Sequence, residues 1–369
     1  MKILIIGGTR YLGPRLVKTL LDAGHEPVLF NRGQTRAPLP VSSPVRQIHG
    51  DRNRPGALRS IVEGETFDAV VDTLAFNGPD AELAVSELSG RVGRYLVISS
   101  VACYGRLTYA PANEQHPYTT DETAFPGGGN DYASGKRDVE KVLLAACRTS
   151  GFPVIVIRPS VSYGYGRLFS IWGYSNRHIA RIRAGKPVIV PDTGEGLIQP
   201  VFIDDEATVI ERALTNDAAI GEVFNCAGPV AVPLWEYFRC TGRALGKPVQ
   251  CVEIPAKLLE GFDPVLCVRA SQNLIFNHAY DVSKLKRVLG FEHAYSLEEG
   301  LRATVEFQDQ WNLIEPTCKT DPDDWLIEAF RSRPEANLRA LGEQTRLERS
   351  YQPPQGQPLV TWAPRQATV

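Results

Sequence analysis

The chain has 369 residues, 43% apolar, 9% aromatic and 22% charged. That is ordinary globular usage, enough for one large core and a smaller lobe, and it excludes disorder along the whole chain. Lys and Arg number 40 against 42 Asp and Glu, and the net charge of -2 gives no global reason to bind nucleic acid or an anionic membrane.

The seven cysteines (Cys103, Cys147, Cys226, Cys240, Cys251, Cys267, Cys318) are odd in number and widely spaced, without a CxxC pair. Neither a disulfide framework nor a zinc knuckle is indicated, and no HExxH is present. No apolar run approaches the roughly 20 residues of a membrane span. The opening MKILIIGGTR is too short in its apolar part for a signal peptide, so a cytoplasmic protein is expected.

Lys2 to Ile6 reads as a buried strand. Pro14 to Ala23 reads as a helix, with Leu16, Val17, Leu20 and Leu21 on one face and Gly24 just past its end. Further strands are expected at Pro27 to Phe30, Val45 to His49, Ala69 to Asp72, Tyr95 to Ser99 and Val154 to Ile157. Helical segments at Asp80 to Leu88 and Tyr132 to Cys147 fall between them. Such alternation implies a parallel sheet covered on both faces. After Arg158-Pro159 the texture changes to interleaved glycines and aromatics, the entry to a second lobe. Glu206 to Leu214, Leu234 to Leu245 and Glu335 to Arg349 look helical, and Gln352 to Val369 reads as an arm or a poorly ordered tail.

The first strand runs into Gly7-Gly8-Thr9-Arg10-Tyr11-Leu12-Gly13. A pyrophosphate must approach backbone N–H groups at a helix N-terminus, and a Cβ at the turn would block it. The second strand ends in Asn31-Arg32, without the carboxylate that would accept from the 2′-hydroxyl of NAD. Arg32, with Arg10, suits a 2′-phosphate, so NADP is expected over NAD. Asp51 and Arg52 are placed to border the adenine, and Thr73, Leu74 and Ala75 to flank the cofactor at the sheet edge.

Tyr132-Ala-Ser-Gly-Lys136 is a YxxxK, which puts phenol and ammonium on one helix face, and the ammonium lowers the phenol pKa. It follows a strand ending in Ser99-Ser100, and Ser100 can hydrogen-bond a substrate oxygen. A second YxxxK, Tyr280 to Lys284, reads as an ordinary helix start away from the cofactor edge.

The chain resembles an extended short-chain dehydrogenase/reductase of the NAD-dependent epimerase/dehydratase family. GGTRYLG at 7–13, YLVISSVACYG at 95–105, YASGK at 132–136 and VIRPSVSYGYG at 156–166 carry the likeness, with echoes in VFIDDEA at 201–207 and DVSKLKRVLGF at 281–291. The resemblance covers about residues 1–310 and implies an α/β fold. This would be a Rossmann-type doubly wound parallel sheet over 1–165, with a return near 198–228, a smaller C-terminal substrate-binding lobe at 166–315 and an extension at 316–369. It implies Ser100, Tyr132 and Lys136 as a catalytic triad, with Ser99 beside the cofactor and hydride passing between a hydroxyl carbon and the nicotinamide. The family's usual substrate is a sugar on a nucleoside diphosphate, and a homodimer is plausible by the same likeness. Two departures stand out. Arg10 replaces the middle glycine of GxxGxxG, as in an atypical branch that includes the chloroplast stem-loop-binding proteins, some of which bind RNA or lack active-site residues. Val101-Ala102 stands where 4,6-dehydratases carry Asp-Glu, which disfavours dehydration and leaves epimerisation as the leading expectation, with a ketoreductase or dehydrogenase as one alternative and a non-enzymatic RNA-binding or regulatory protein on the same scaffold as the other.

Further substrate contacts are expected from Tyr163, Trp172, Tyr174, Asn176, His178 and Gln199, against core packing as the plainer account of the aromatics and of His178. Cys103 is either an acid/base near Ser100 or a buried thiol. Arg167, Arg177, Arg181 and Arg183 either grip a diphosphate or are solvated helix charges, and Asp204 and Asp205 are expected to cap the following helix.

Overall fold

A computed structural model describes residues 1–34, 45–125, 130–166, 168–171, 173–262, 274–314 and 321–332. Its centre is a seven-stranded sheet of β1 (Lys2–Ile6), β2 (Glu26–Asn31), β3 (Gln47–His49), β4 (Phe67–Asp72), β5 (Val92–Ile98), β6 (Val154–Pro159) and β7 (Val223–Cys226). The strands lie in the order β7-β6-β5-β4-β1-β2-β3, and every pairing is parallel. The order reverses between β1 and β4, which opens a crevice at their C-terminal ends.

Alternation along β1 decides which helices pack where. Ile3 and Ile5 join the side chains of α1 (Leu12–Asp22), while Leu4 and Ile6 join those of α2 (Ala57–Gly64), α3 (Gly78–Leu88) and α4 (Asn130–Ser150). Helix α1 starts two residues before the expected Pro14. Proline is tolerated there because first-turn N–H groups have no intrahelical partner.

The second lobe gathers its own core. Short helices α5 (Arg177–Arg183) and α7 (Leu234–Ala244) pack with a parallel strand pair, Val188–Pro191 and Cys251–Ile254. Between α5 and α7 in the chain, α6 (Ile203–Thr215) returns to the large sheet beside α1. Then come α8 (Ala256–Phe262), α9 (Ser283–Leu289) and α10 (Leu297–Gln310). A last helix, α11 (Pro322–Ser332), docks Leu326, Ile327 and Ala329 into this core, so the start of the expected extension is part of the lobe.

Ion pairs explain that docking, and they place three of the four arginines neither in a diphosphate grip nor as purely solvated helix charges. Arg181 is buried and pairs with Asp321 at 2.7 Å, Asp323 at 3.4 Å and Asp324 at 2.9 Å. Arg177 reaches Asp321 at 3.0 Å and Arg183 reaches Asp309 at 2.5 Å. Arg177 and Arg181 hold the C-terminal helix, and Arg183 ties α5 to α10. Asp204 and Asp205 do not cap α6, because they lie inside its first turn. Asp204 instead binds Arg15 at 2.6 Å, and Asp205 accepts the Ala294 N–H at 3.0 Å. Arg167, Trp172, the side chain of Tyr174 and the expected helix at 335–349 lie outside the described residues. Among the described residues no helix is long and apolar enough to cross a membrane.

Candidate active site

A cleft of about 1050 Å³ follows the C-terminal edge of the sheet across the crevice between β1 and β4. Tyr11, Leu74, Phe76 and Tyr132 are large, exposed aromatic or aliphatic side chains, and all four line it. Such convergence marks a surface that a ligand covers.

Its floor is the glycine turn. Gly7 and Gly8 have φ of 97° and 75°, where a side chain is strained. A Cβ on Gly13 would lie inside the backbone of Gly8, so this glycine sets how closely α1 approaches the turn. Helix α1 has no side-chain cap and no acid in its first turn, so its positive end faces the cleft without a built-in anion. Thr9, Arg10, Tyr11 and Leu12 line the cleft with Gly8, while Gly7 sits behind them, its N–H bonded to Phe30 O. These residues fit a dinucleotide pyrophosphate, which at such a cradle supplies a nicotinamide ring able to take or give a hydride.

At the end of β2, Asn31 accepts the Gly33 N–H at 2.8 Å and so shapes the turn that presents Arg32. Arg32 and Arg10 are both exposed and both line the cleft. Asp51 lines it as well and folds its own loop by accepting the Asn53 N–H at 3.0 Å. Arg52 lines the same wall, but its guanidinium is committed. It is buried and pairs with Asp72 and Asp80, each at 2.9 Å. Asp72, at the end of β4, also accepts Tyr95 Oη at 2.7 Å and the Leu74 N–H at 2.8 Å. This carboxylate escaped the sequence reading, because a lone Asp at a strand end carries no spacing signal.

Helix α4 brings Tyr132 and Lys136 to the cleft. Tyr132 is 47% exposed in the cleft, whereas Lys136, one turn on, is 2% exposed. Lys136 Nζ donates to Ala75 O at 2.8 Å and Ile98 O at 2.7 Å, joining the ends of β4 and β5. It also lies 4.6 Å from the Phe76 ring centre and 5.8 Å from that of Tyr132. Burial pushes its pKa down to about 8, against the opposing pull of Asp72, Glu140 and Asp80. Gly135 makes this approach possible, since a Cβ there would meet the carbonyl of Phe76. Thr73 fixes the same loop by donating to Ile6 O at 2.8 Å, and Ala75 is buried beneath it.

Ser100 lines the cleft at the start of a short 3-10 turn, Val101–Tyr104, and its Oγ accepts the Ala102 N–H at 3.1 Å. That bond leaves the Ser100 hydroxyl proton to point elsewhere. Ser99, which also lines the cleft, donates to Glu140, one turn beyond Lys136 on α4. Glu140 is fully buried and takes Arg158 Nε at 3.0 and 3.1 Å, Arg158 Nη2 at 2.5 Å and Tyr118 Oη at 2.9 Å. The i, i+4, i+8 series Tyr132, Lys136, Glu140 was visible in the sequence, and the acid was the part not followed.

Several expected substrate contacts fall elsewhere. Cys103 is completely buried, and burial next to Glu140 pushes its thiol well above the usual range, so it is no acid/base. Tyr163 is in the second-lobe core, with Oη donating to Leu297 O at 3.3 Å. His178 is buried against Tyr237 and Phe238, and burial pushes it down to about 4. Asn176 precedes α5 and accepts from Gln308 Nε2 at 3.3 Å. None of these four lines the cleft. Gln199 does, but its amide is committed: Nε2 donates to Gly228 O and Oε1 accepts the Tyr280 N–H, both at 2.7 Å. Tyr280 and His278 line the cleft instead, so the second YxxxK is not remote from the site.

The family model described as "NAD dependent epimerase/dehydratase family" matches residues 3–227. The chain is 29% identical over 258 residues to 2'-dehydrokanamycin reductase of Streptomyces kanamyceticus, covering 70% of each chain. It is 28% identical over 316 residues to a chloroplast stem-loop binding protein of 41 kDa from Arabidopsis thaliana, covering 81% of this chain and 77% of the relative. Among solved structures, a UDP-glucose 4-epimerase of Thermotoga maritima superposes with a TM-score of 0.67 at 18% identity, covering 84% of this chain and 99% of the other. The glycine turn, the crevice and a family match over most of the chain agree: this protein belongs to the NAD-dependent epimerase/dehydratase family, NAD(P)-using enzymes of the extended short-chain dehydrogenase/reductase type.

Proposed function

We propose that the protein is an NADP(H)-dependent enzyme that oxidises and reduces a secondary alcohol carbon of a sugar, with epimerisation of a nucleoside diphosphate sugar as the leading reaction. The observation that carries this reading is the placement of Tyr132 and Lys136 on one face of α4, in the cleft floored by the glycine turn. Tyr132 takes the hydroxyl proton as the carbon gives up hydride, and returns it on reduction. The ammonium of Lys136 favours the phenolate, and Ser100 orients the substrate oxygen. Arg10 and Arg32, both exposed in the cleft lining, are the positive charge we assign to a 2′-phosphate.

A second reading, net reduction of a sugar-like ketone, is favoured by the relative named 2'-dehydrokanamycin reductase. It is also favoured by the commitment of Arg177, Arg181 and Arg183 to carboxylates, which removes three candidates for holding a diphosphate. Cofactor stoichiometry separates the two, because an epimerase recycles its nicotinamide and a reductase consumes it. Tyr132→Phe tests what they share. The variant should bind NADPH as the wild type does and form product at least about 100-fold more slowly. Full turnover by it would remove Tyr132 from the reaction.

A further inference from the structure

The two carbonyls that hold Lys136 differ in how they are fixed. Ile98 O ends β5 inside the large sheet, where Ile98 pairs with Ile157 of β6. Ala75 O lies on the loop 73–77 between β4 and α3. Such a loop keeps one shape only if its N–H groups are bonded. The N–H groups on either side of Ala75 both go to carboxylates. Leu74 N–H donates to Asp72 Oδ1 at 2.8 Å and Phe76 N–H to Asp80 Oδ2 at 2.7 Å.

Each carboxylate turns its other oxygen to the same guanidinium. Asp72 Oδ2 takes Arg52 Nη2 and Asp80 Oδ1 takes Arg52 Nη1, each at 2.9 Å, and Nη2 also donates to Asp80 O at 3.0 Å. Arg52 comes from the segment after β3, so it is no neighbour of this loop in sequence. One planar fork thereby joins both ends of the loop, which the point charge of an ammonium does not do. Arg52 is buried, and among the described residues its Nε has no hydrogen-bond partner. Burying such a cation is a poor way to gain stability, since apolar side chains of similar volume serve as well. It fixes geometry instead. What it fixes is the seat of Lys136, with Ala75 O at 2.8 Å from Nζ and the Phe76 ring centre at 4.6 Å, both carried by the loop.

We propose that Arg52 is a positioning residue for the chemistry at Tyr132: by bridging Asp72 and Asp80 it holds loop 73–77 in the shape that seats the Lys136 ammonium. It acts through Lys136. The role rests on the hydride-transfer reading above, in which that ammonium serves Tyr132, and it holds for an epimerase or a reductase. The charged groups facing Lys136 are Asp72, Asp80 and Glu140, which favour the ammonium, and Arg52, which opposes it. Removing Arg52 therefore has two effects of opposite sign. The altered field makes Lys136 hold its proton harder, and the lost seat frees the amine.

Acetylation of the full chain by acetic anhydride at about pH 8, where Lys136 titrates, tests this when read site by site by mass spectrometry, because only a neutral and reachable amine reacts. Lys284 is the internal reference, since it donates to Val223 O at 2.7 Å on β7, three strands from β4. Arg52→Met should speed acetylation of Lys136 at least about 10-fold, the worth of one lost hydrogen bond, with Lys284 within about 2-fold of wild type. Arg52→Lys keeps the charge but reaches one carboxylate at a time. It should speed Lys136 as well, and it carries the test if Arg52→Met fails to fold. If Lys136 reacts in Arg52→Met at the wild-type rate or more slowly, the field acts without a seat. If Lys284 speeds up equally, the fold has merely loosened. Either result overturns the positioning role. Failure of the underlying reading shows elsewhere, as full turnover by Tyr132→Phe with the Lys136 contrast intact, and it leaves the seat without a reaction to serve.

Discussion

Removing the Glu140 carboxylate should cost the fold about 3–5 kcal/mol. The magnitude follows from what surrounds it. Arg158 is 2% exposed and Glu140 0%. The guanidinium reaches the carboxylate through Nε and Nη2, so Glu140→Gln leaves a buried cation facing a neutral amide of the same shape. Arg158 keeps Tyr104 Oη at 2.6 Å and Glu114 O at 3.2 Å, and these bonds soften the loss without cancelling the charge. Against a total stability of roughly 5–15 kcal/mol, the variant should unfold at visibly lower urea concentration with its m-value unchanged. The double replacement Glu140→Gln with Arg158→Met removes both charges, keeps an amide oxygen for Ser99 and Tyr118, and should recover much of the deficit, because a buried ion pair is costly to break and nearly neutral to replace. Urea unfolding of the two singles and the double gives the coupling directly. A Glu140→Gln variant within about 1 kcal/mol of wild type, or a double variant that merely sums the singles, would refute the reasoning.

Lys136, shifted from 10.5 down to about 8, gives a pH signature. Between those values the unfolded chain binds a proton that the folded chain has released, so stability should rise with pH across that window by about 3 kcal/mol. Below about pH 8 the ammonium is present at full cost, and above it any step that needs the charge should fade. Lys136→Met should abolish the stability rise in urea titrations run at several pH values, and an unchanged slope would reject the assignment. Gly13→Ala drives a methyl into the Gly8 backbone and should weaken NADPH, by fluorescence titration, at least about 10-fold, wild-type affinity being the contrary result. Arg32→Ala should weaken NADPH much more than NADH, and equal losses would overturn the 2′-phosphate reading.

Much of the sheet was legible because buried parallel strands are short runs of Ile, Leu and Val, and β1 and β6 are such runs. The glycine turn and the first YxxxK were legible for a related reason: close approach and shared helix faces need fixed spacings. What the sequence hid was the destination of charged side chains. Arg177, Arg181 and Arg183 look like an anion grip in the linear chain, and their partners Asp309, Asp321, Asp323 and Asp324 lie more than a hundred residues on. Arg52 was read toward the adenine, while Asp72 and Asp80 draw it inward. His278 and Tyr280 were hidden differently, because their access to the cleft depends on a bridge between Tyr280 and Ala112 that no local pattern announces.

The proposed acid–base role leans on this buried wiring around Lys136. Two carboxylates, Asp72 and Glu140, sit close enough to Lys136 to favour its ammonium, yet the pKa still falls. Burial outweighs their pull, and Arg52, paired with Asp72, adds a smaller push in the same downward direction. Two carbonyls hold the ammonium as dipoles and not as charges, so they orient it without fully repaying its desolvation. The outcome is a cation fixed in position and only modestly committed to its proton, next to an exposed phenol. On the proposed reading that ammonium is what favours the Tyr132 phenolate, and its help should fade above about pH 8.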